Sequence, residues 1–355
     1  MKTEYSDTRL DFSDQELDEV PINFSQYPYL EELYLDNNCI EELNDIGELR
    51  QLKCLNASQN RLESIPASFG NLENLENLYL NENLLEEIPD SIGNLNRLQD
   101  LQLSSNRLKS LPNSVGRLSN LTHLSVSDNS LIELPSLSGL GNLSWFRANI
   151  NDLYSFPDLP LSLELLNLFQ NEISSIPDTI KNFSKLKNLS LGRNKINVIP
   201  DGIAELVNLE GLNLHQTSLQ VFPEGVAHLP NLRRLSMSKC PMSSLPATFP
   251  GLRRLEQLTL EETQISEIPD AIASLENLKE ISFEQTNISR VPDCLMDLSN
   301  LETLILSYCK IREVPEFLLK MKGLKRLLIV GNPIERNSIL RLKEQAKENG
   351  ISLVI

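Results

Sequence analysis

Nine positions recur in one register along almost the whole chain, and that leaves few folds open. In LKNLSLGRNKINVIPDGIAEL, residues Leu186, Leu189, Leu191, Asn194, Ile196, Ile199, Pro200, Ile203 and Leu206 hold places 1, 4, 6, 9, 11, 14, 15, 18 and 21. Leu209 starts the next unit 23 residues on. Full units begin at Leu30, Leu52, Leu75, Leu98, Leu121, Leu143, Leu163, Leu186, Leu209, Leu232, Leu255, Leu278, Leu301 and Leu324. The spacing is 23 except for 22 after Leu30, 22 after Leu121 and 20 after Leu143. A unit this short cannot bury its own apolar side, so neighbours must stack on it and share one core. A chain of 355 residues would otherwise suggest two domains or so. Solenoids grow without splitting, so the expectation here is a single one.

Each place has a physical reading. In Leu-x-x-Leu-x-Leu the last two leucines alternate with polar residues, the period of a strand with one buried face. Successive strands run in the same sense and must pair in parallel. The ninth place is asparagine from Asn38 to Asn194. A buried amide there can donate to and accept from turn backbones of its own and adjoining coils. The fifteenth place is almost always proline, which fixes φ and removes a donor, so the outer segments should be short 3₁₀ or irregular turns. From Leu209 the ninth place becomes Thr217, Cys240, Thr263, Thr286 and Cys309, returning to asparagine at Asn332. A hydroxyl or thiol cannot make the full amide network, and the two thiols are expected as buried packing residues.

The ends differ from the middle. Residues 1–29 form an atypical opening unit, residues 30–332 the repeats, and residues 333–355 a closing cap. In the cap Asn337 and Ser338 can start a helix, Ile339, Leu342 and Ala346 share a face, and Gly350 suits the left-handed position after it. ISLVI then reads as a last strand over the open edge.

The ending L-P-x-x-I-x-x-L, as in IPDSIGNLNRL and LPNSVGRLSNL, resembles the 23-residue class of the leucine-rich repeat family. That class includes intracellular Ras-regulating scaffolds, related plant proteins and many bacterial proteins. The resemblance implies an α/β solenoid: a curved horseshoe with a concave parallel sheet, 3₁₀ or irregular convex turns and a role in binding other proteins. The threonine/cysteine ladder is similar to a variant of some bacterial effectors and plant immune receptors.

Charge and cysteine usage narrow the function. Net charge is −17, and residues 1–60 carry 14 acids against 4 bases. With no cluster of lysine and arginine, a nucleic-acid or acidic membrane partner is not expected. No apolar run is long enough to span a membrane, and MKTEYSDTRLDFSDQELDEV has no apolar signal region. The five cysteines form no C-x-x-C pair and cap neither end, unlike the disulfide caps of extracellular leucine-rich solenoids. The expectation is a cytoplasmic protein, with signal-independent export left open.

With the register set, the third, fifth, seventh and eighth places are expected to be exposed on the strand face. Most carry small polar residues. The exception starts at the shortened units. Trp145, the only tryptophan, holds a third place, with Arg147 at the fifth and Asn149 at the seventh. Leu165, Asn167 and Phe169 hold the same places next, with His123 before them and Arg193 and His215 after. Strands about 4.8 Å apart would join these into one patch. Trp, Arg and Phe are common interface anchors, although the aromatics could instead pack on each other. Two secondary patches are Tyr34 and Tyr79 on the amino side, and Glu261, Glu280 and Glu284 on the carboxyl side.

Catalytic readings fit poorly. His123, Ser125 and Ser127 stand about 7 Å apart in steps along one strand, beyond proton-transfer reach. His123 and His215 lie roughly 19 Å apart and cannot share a metal. Glu261 and Glu284 could approach as a carboxylate pair, but on an open sheet without an enclosing pocket. Nothing beside Cys294 activates its thiol. No cofactor, metal or small-molecule substrate is expected. The reading is a non-enzymatic scaffold or adaptor that binds a protein or peptide on its concave face. The alternatives are an exported bacterial effector that binds a host protein, a carbohydrate-binding or hydrolytic module at Glu261 and Glu284, and a purely structural protein.

Overall fold

A computed structural model describes residues 8–355. The first part of the 1–29 opening unit, residues 1–7, therefore lies outside the described residues. Two compact units are present, Met1–Glu172 and Ile173–Ile355. In the first, the strands are β1 (Arg9–Asp11), β2 (Glu32–Tyr34), β3 (Cys54–Asn56), β4 (Asn77–Tyr79), β5 (Asp100–Gln102), β6 (His123–Ser125), β7 (Trp145–Arg147) and β8 (Leu165–Asn167). They pair in parallel and in sequence order, one per coil. The second unit does the same with β9 (Asn188–Ser190), β10 (Gly211–Asn213), β11 (Arg234–Ser236), β12 (Gln257–Thr259), β13 (Glu280–Ser282), β14 (Thr303–Ile305), β15 (Arg326–Leu328) and β16 (Ser352–Val354). The fold class is the leucine-rich α/β solenoid.

Strands β2 to β15 span places 3 to 5 of their units, so the centre of each is the fourth place. Leu33, Leu55, Leu78, Leu101, Leu124, Phe146 and Leu166 pair in register there and are buried. Apolar residues of the sixth, eleventh, eighteenth and twenty-first places close on them from the turn and the outer segment, as with Leu80, Leu85, Ile92 and Leu95. Each fully buried leucine contributes about 2 kcal/mol through area removed from water.

The asparagine ladder follows its expected logic. Asn83 accepts from the Leu62 amide at 3.0 Å in the preceding coil. Its Nδ2 donates to the carbonyls of Ala57 at 2.9 Å, Leu80 at 3.1 Å and Asn81 at 3.4 Å. The later rungs differ among themselves. Thr263 donates to Leu260 in its own coil at 2.8 Å, and Thr286 to Phe283 at 2.8 Å. Cys240 and Cys309 are buried, as expected, but do more than pack. Their thiols reach back to the preceding coil, at Leu214 (3.3 Å) and Phe283 (3.1 Å). Burial raises both thiols above the ordinary range, with Thr217 and Thr286 opposing that shift.

A second ladder runs along the coil boundaries, where an Asn-Leu pair recurs. Asn74, Asn208 and Asn231 each donate to a carbonyl one coil back, of Arg50, Ser184 and Val207 respectively. The eighth place carries a different signature. Thirteen successive non-glycine residues, Asn37 through Tyr308, are left-handed there, and Gly331 follows at φ 71°. That conformation costs about 1–2 kcal/mol for most side chains. It aims the amide at the seventh-place carbonyl of the next coil, as Gln59 N–H does at Asn81 (2.9 Å), and the bond offsets the strain.

The outer segments are 3₁₀ turns of three to five residues, opened by proline in most coils, as with Pro89 before Asp90–Asn94. The units starting at Leu121, Leu143 and Leu232 carry none. In the first two, the missing residues come out of the outer segment, while the strand pairing is kept. In unit 1 the turns approach closely through glycine. A Cβ on Gly93 would stand 2.6 Å from Ser114 Cβ and 2.8 Å from its carbonyl oxygen. Gly93→Ala is therefore expected to cost about 1–3 kcal/mol by overpacking, read as a lower urea midpoint.

The closing cap is a helix, α1 (Arg336–Glu348), with Leu342 and Ala346 buried. It starts before Asn337, and its N-cap Glu335 makes no side-chain cap bond. Gly350 is left-handed at φ 70°, and β16 pairs with β15.

Candidate functional site

Four adjacent strands of the first unit, β5 to β8, carry the side chains that stand out on the strand face. Their third places are Asp100, His123, Trp145 and Leu165, in register from strand to strand. Phe146, fully buried, anchors β7 from beneath, so Trp145 and Arg147 on either side of it must face outward. Trp145 is 41% exposed. Its ring lies 5.3 Å from the His123 ring at 49°, and the Arg147 guanidinium carbon lies 5.6 Å from the ring centre. Such contacts hold the guanidinium and the indole in place while both residues stay exposed.

Other proposed residues have different roles. Asn149 accepts from Ser127 Oγ at 2.7 Å and from Asn167 Nδ2 at 3.1 Å. Asn167 in turn accepts from the Phe169 amide at 3.1 Å. These two amides tie the seventh-place backbone to the face and are largely spent on neighbours. Leu165 and Phe169 are half-buried. Arg193 and His215 belong to the second unit. There His215 is grouped with the carboxyl-side residues. Burial holds its pKa below the ordinary value, helped by Lys239 and Arg193 and opposed by Glu261 and Glu262. Lys239 pairs with Glu262 at 3.1 Å. Glu284 is shifted upward by burial and by Glu261 and Glu262. Glu280 lies on β13, half-buried.

The amino-side patch is packed rather than freely solvated. Tyr34 donates to Glu32 at 3.1 Å, and Arg9 lies 4.6 Å over its ring. Burial, then Cys54 and Glu32, push the Tyr34 hydroxyl up to about 12. Tyr79 is raised by burial, Asp100 and Cys54.

The strand face is less uniformly exposed than its register suggests. Ser125, Ser127, Ser238, Ser282 and Ser307 are buried. Ser125 Oγ meets Ser104 Oγ at 2.6 Å, and His123 Nδ1 meets Thr122 Oγ1 at 2.9 Å. That arrangement aligns no histidine with a serine nucleophile. Cys294 is pushed up to about 11 by burial and by Asp270 and Asp297, the reverse of an activated thiolate. Among the described residues no group of three metal-ligating side chains is present.

Ile150 was not singled out by the repeat pattern, yet it adjoins the stack in sequence. It is a β-branched residue at φ 56° and is 39% exposed. The left-handed backbone is shared by the eighth places from Asn37 to Tyr308, but a β-branched residue there is an outlier. Its signal is an apolar residue at the eighth place, where polar residues otherwise prevail in this unit.

Parallel strands stacked one per coil, each followed by a turn and a short outer segment, define a class of fold: the repeat solenoids. A leucine-rich repeat protein from Leptospira interrogans is 30% identical, with a TM-score of 0.84 over 98% of this chain and 95% of that one. The leucine rich repeat family model matches residues 58–108, 184–242 and 253–311. This chain belongs to the leucine-rich repeat family. The functional domain of InlJ from Listeria monocytogenes, described as including a cysteine ladder, shares the fold at 17% identity (TM-score 0.68, over 91% of this chain and 73% of that one). The plant peptide hormone receptor RGFR1, solved in complex with RGF2, is 25% identical (TM-score 0.57, 93% and 67% covered). A search of curated proteins finds no match. The leucine-rich repeat fold is commonly a protein–protein interaction module and is generally non-enzymatic.

Proposed function

We propose that the β5–β8 face binds a protein or peptide partner, without catalysis, and that Trp145 and Arg147 anchor it. The observation that carries this is the exposed Trp145 indole, in contact with the His123 ring and the Arg147 guanidinium on a strand face where most other positions are polar. An exposed indole costs solubility unless something covers it, and Trp and Arg dominate interface energetics. The family's common use as an interaction module supports the reading, as does the similarity to a receptor solved with RGF2. Leu165 and Phe169 extend the apolar contact, whereas Asn149 and Asn167 hold the face in shape. All five cysteines are free thiols, which supports a reducing compartment such as the cytoplasm.

Affinity capture from the native lysate tests the proposal. Trp145, Arg147 and Phe169 replaced together by alanine are expected to abolish capture of the main partner while circular dichroism stays unchanged. Unchanged capture by the folded triple variant would overturn the assignment of this face.

A further inference from the structure

The strands of the first unit contain two arginines, and the structure treats them differently. Arg9 is met by Asp11 at 3.7 Å, by Glu32 at 3.5 Å and by the Tyr34 ring. Arg147 meets only the Trp145 ring, and among the described residues no carboxylate pairs with it. In a chain of net charge −17, a strand-face guanidinium without a carboxylate is a site left open for a foreign anion. Two strands away Asp100 presents the opposite charge. It accepts from Gln102 Nε2 and meets no cation among the described residues. His123 lies in register between Asp100 and Trp145, whose ring the Arg147 guanidinium meets.

The spacing of these groups specifies a ligand. Asp100 and Arg147 lie two strands and two residues apart, about 12 Å between Cα atoms at ordinary sheet spacing. An extended peptide crossing the strands advances about 3.3 Å per residue, and its residues i, i+2 and i+4 point to one side. Residues i and i+4 are then about 13 Å apart. We infer that the β5–β8 face takes an extended peptide segment with a basic side chain and an acidic side chain four residues apart and an apolar side chain midway. The basic group pairs with Asp100, the apolar one lies on Trp145 and His123, and the carboxylate meets Arg147. This inference rests on the reading of this face as a partner site and adds the chemistry of the partner.

Selection of short random linear peptides by display on the full-length protein tests it. The wild-type protein is expected to enrich peptides with opposite charges at i and i+4 around an apolar residue. Arg147→Glu should exchange the acidic preference for a basic one and weaken a wild-type-selected peptide at least about tenfold, as expected for losing a charge-assisted contact. Asp100→Lys should exchange the basic preference instead. If the enriched peptides depend on Trp145 but show no charge pattern, or keep it in Arg147→Glu, the inference is overturned and the partner site stands. If nothing enriched depends on Trp145, the inference is overturned, while capture by the triple alanine variant decides the partner site separately.

Discussion

Asn83→Ala is expected to destabilise the protein by about 3 kcal/mol, whereas Thr263→Ala costs about 1 kcal/mol. The two residues hold the same place in their units but different bonds. Asn83, 5% exposed, satisfies the Leu62 amide and three carbonyls across two coils. Its removal leaves buried backbone groups without partners, and each such group costs about 1–3 kcal/mol, partly recovered by relaxation. Thr263 donates a single bond within its own coil, so its loss leaves the coupling between coils in place. Urea denaturation followed by circular dichroism gives the two midpoints. Hydrogen exchange at the Leu62 amide should quicken in Asn83→Ala. Equal losses for the two variants would mean that the ladder type has no energetic consequence.

Phe146→Ala is expected to cost about 4 kcal/mol, the cost of a cavity left by a large, fully buried ring. Trp145→Ala, one residue away, should change stability by no more than about 1 kcal/mol, since an exposed surface substitution without core packing rarely does more. The pair separates fold from function on a single strand. Phe146 is fully buried and Trp145 is 41% exposed. Partner capture should follow the reverse order: lost in Trp145→Ala even where the protein is fully folded, and reduced in Phe146→Ala only as the folded fraction falls. Chemical denaturation of both variants, with capture measured at a temperature where both are folded, checks this. A large stability loss in Trp145→Ala would make the indole a packing residue.

Much of the fold is legible in the repeat because the places that carry it are buried. The strand, the ladder amide and the proline are each dictated by local chemistry repeated coil after coil. That Trp145 and Arg147 would face outward on one strand was legible too, because departures from a periodic background are visible. Side-chain competition on the face was not. Asn149 and Asn167 have the composition of ligand-binding groups, yet they are spent on Ser127, on each other and on the Phe169 amide. The burial of Ser125, Ser127, Ser238, Ser282 and Ser307 was not legible either, since it depends on neighbouring coils. His215 stands near the acidic group of Glu261 and Glu262 because of where side chains reach, which strand spacing does not reveal.

The left-handed eighth place shows the same division. Thirteen non-glycine residues of nine types adopt it, so no single residue type announces it. It follows from the amide of one coil seeking the carbonyl of the next, a demand that exists only once coils are stacked. The sequence by itself determined the phase of the repeat, the parallel stacking and the residues that would stand on either face of a strand. Those follow from which side chains leave water, a property each residue carries with it. Only the tertiary structure decided which polar groups on that face are already satisfied and which remain open. Whether Arg147 meets a carboxylate depends on side chains from other coils, and the distances between coils exist only after folding.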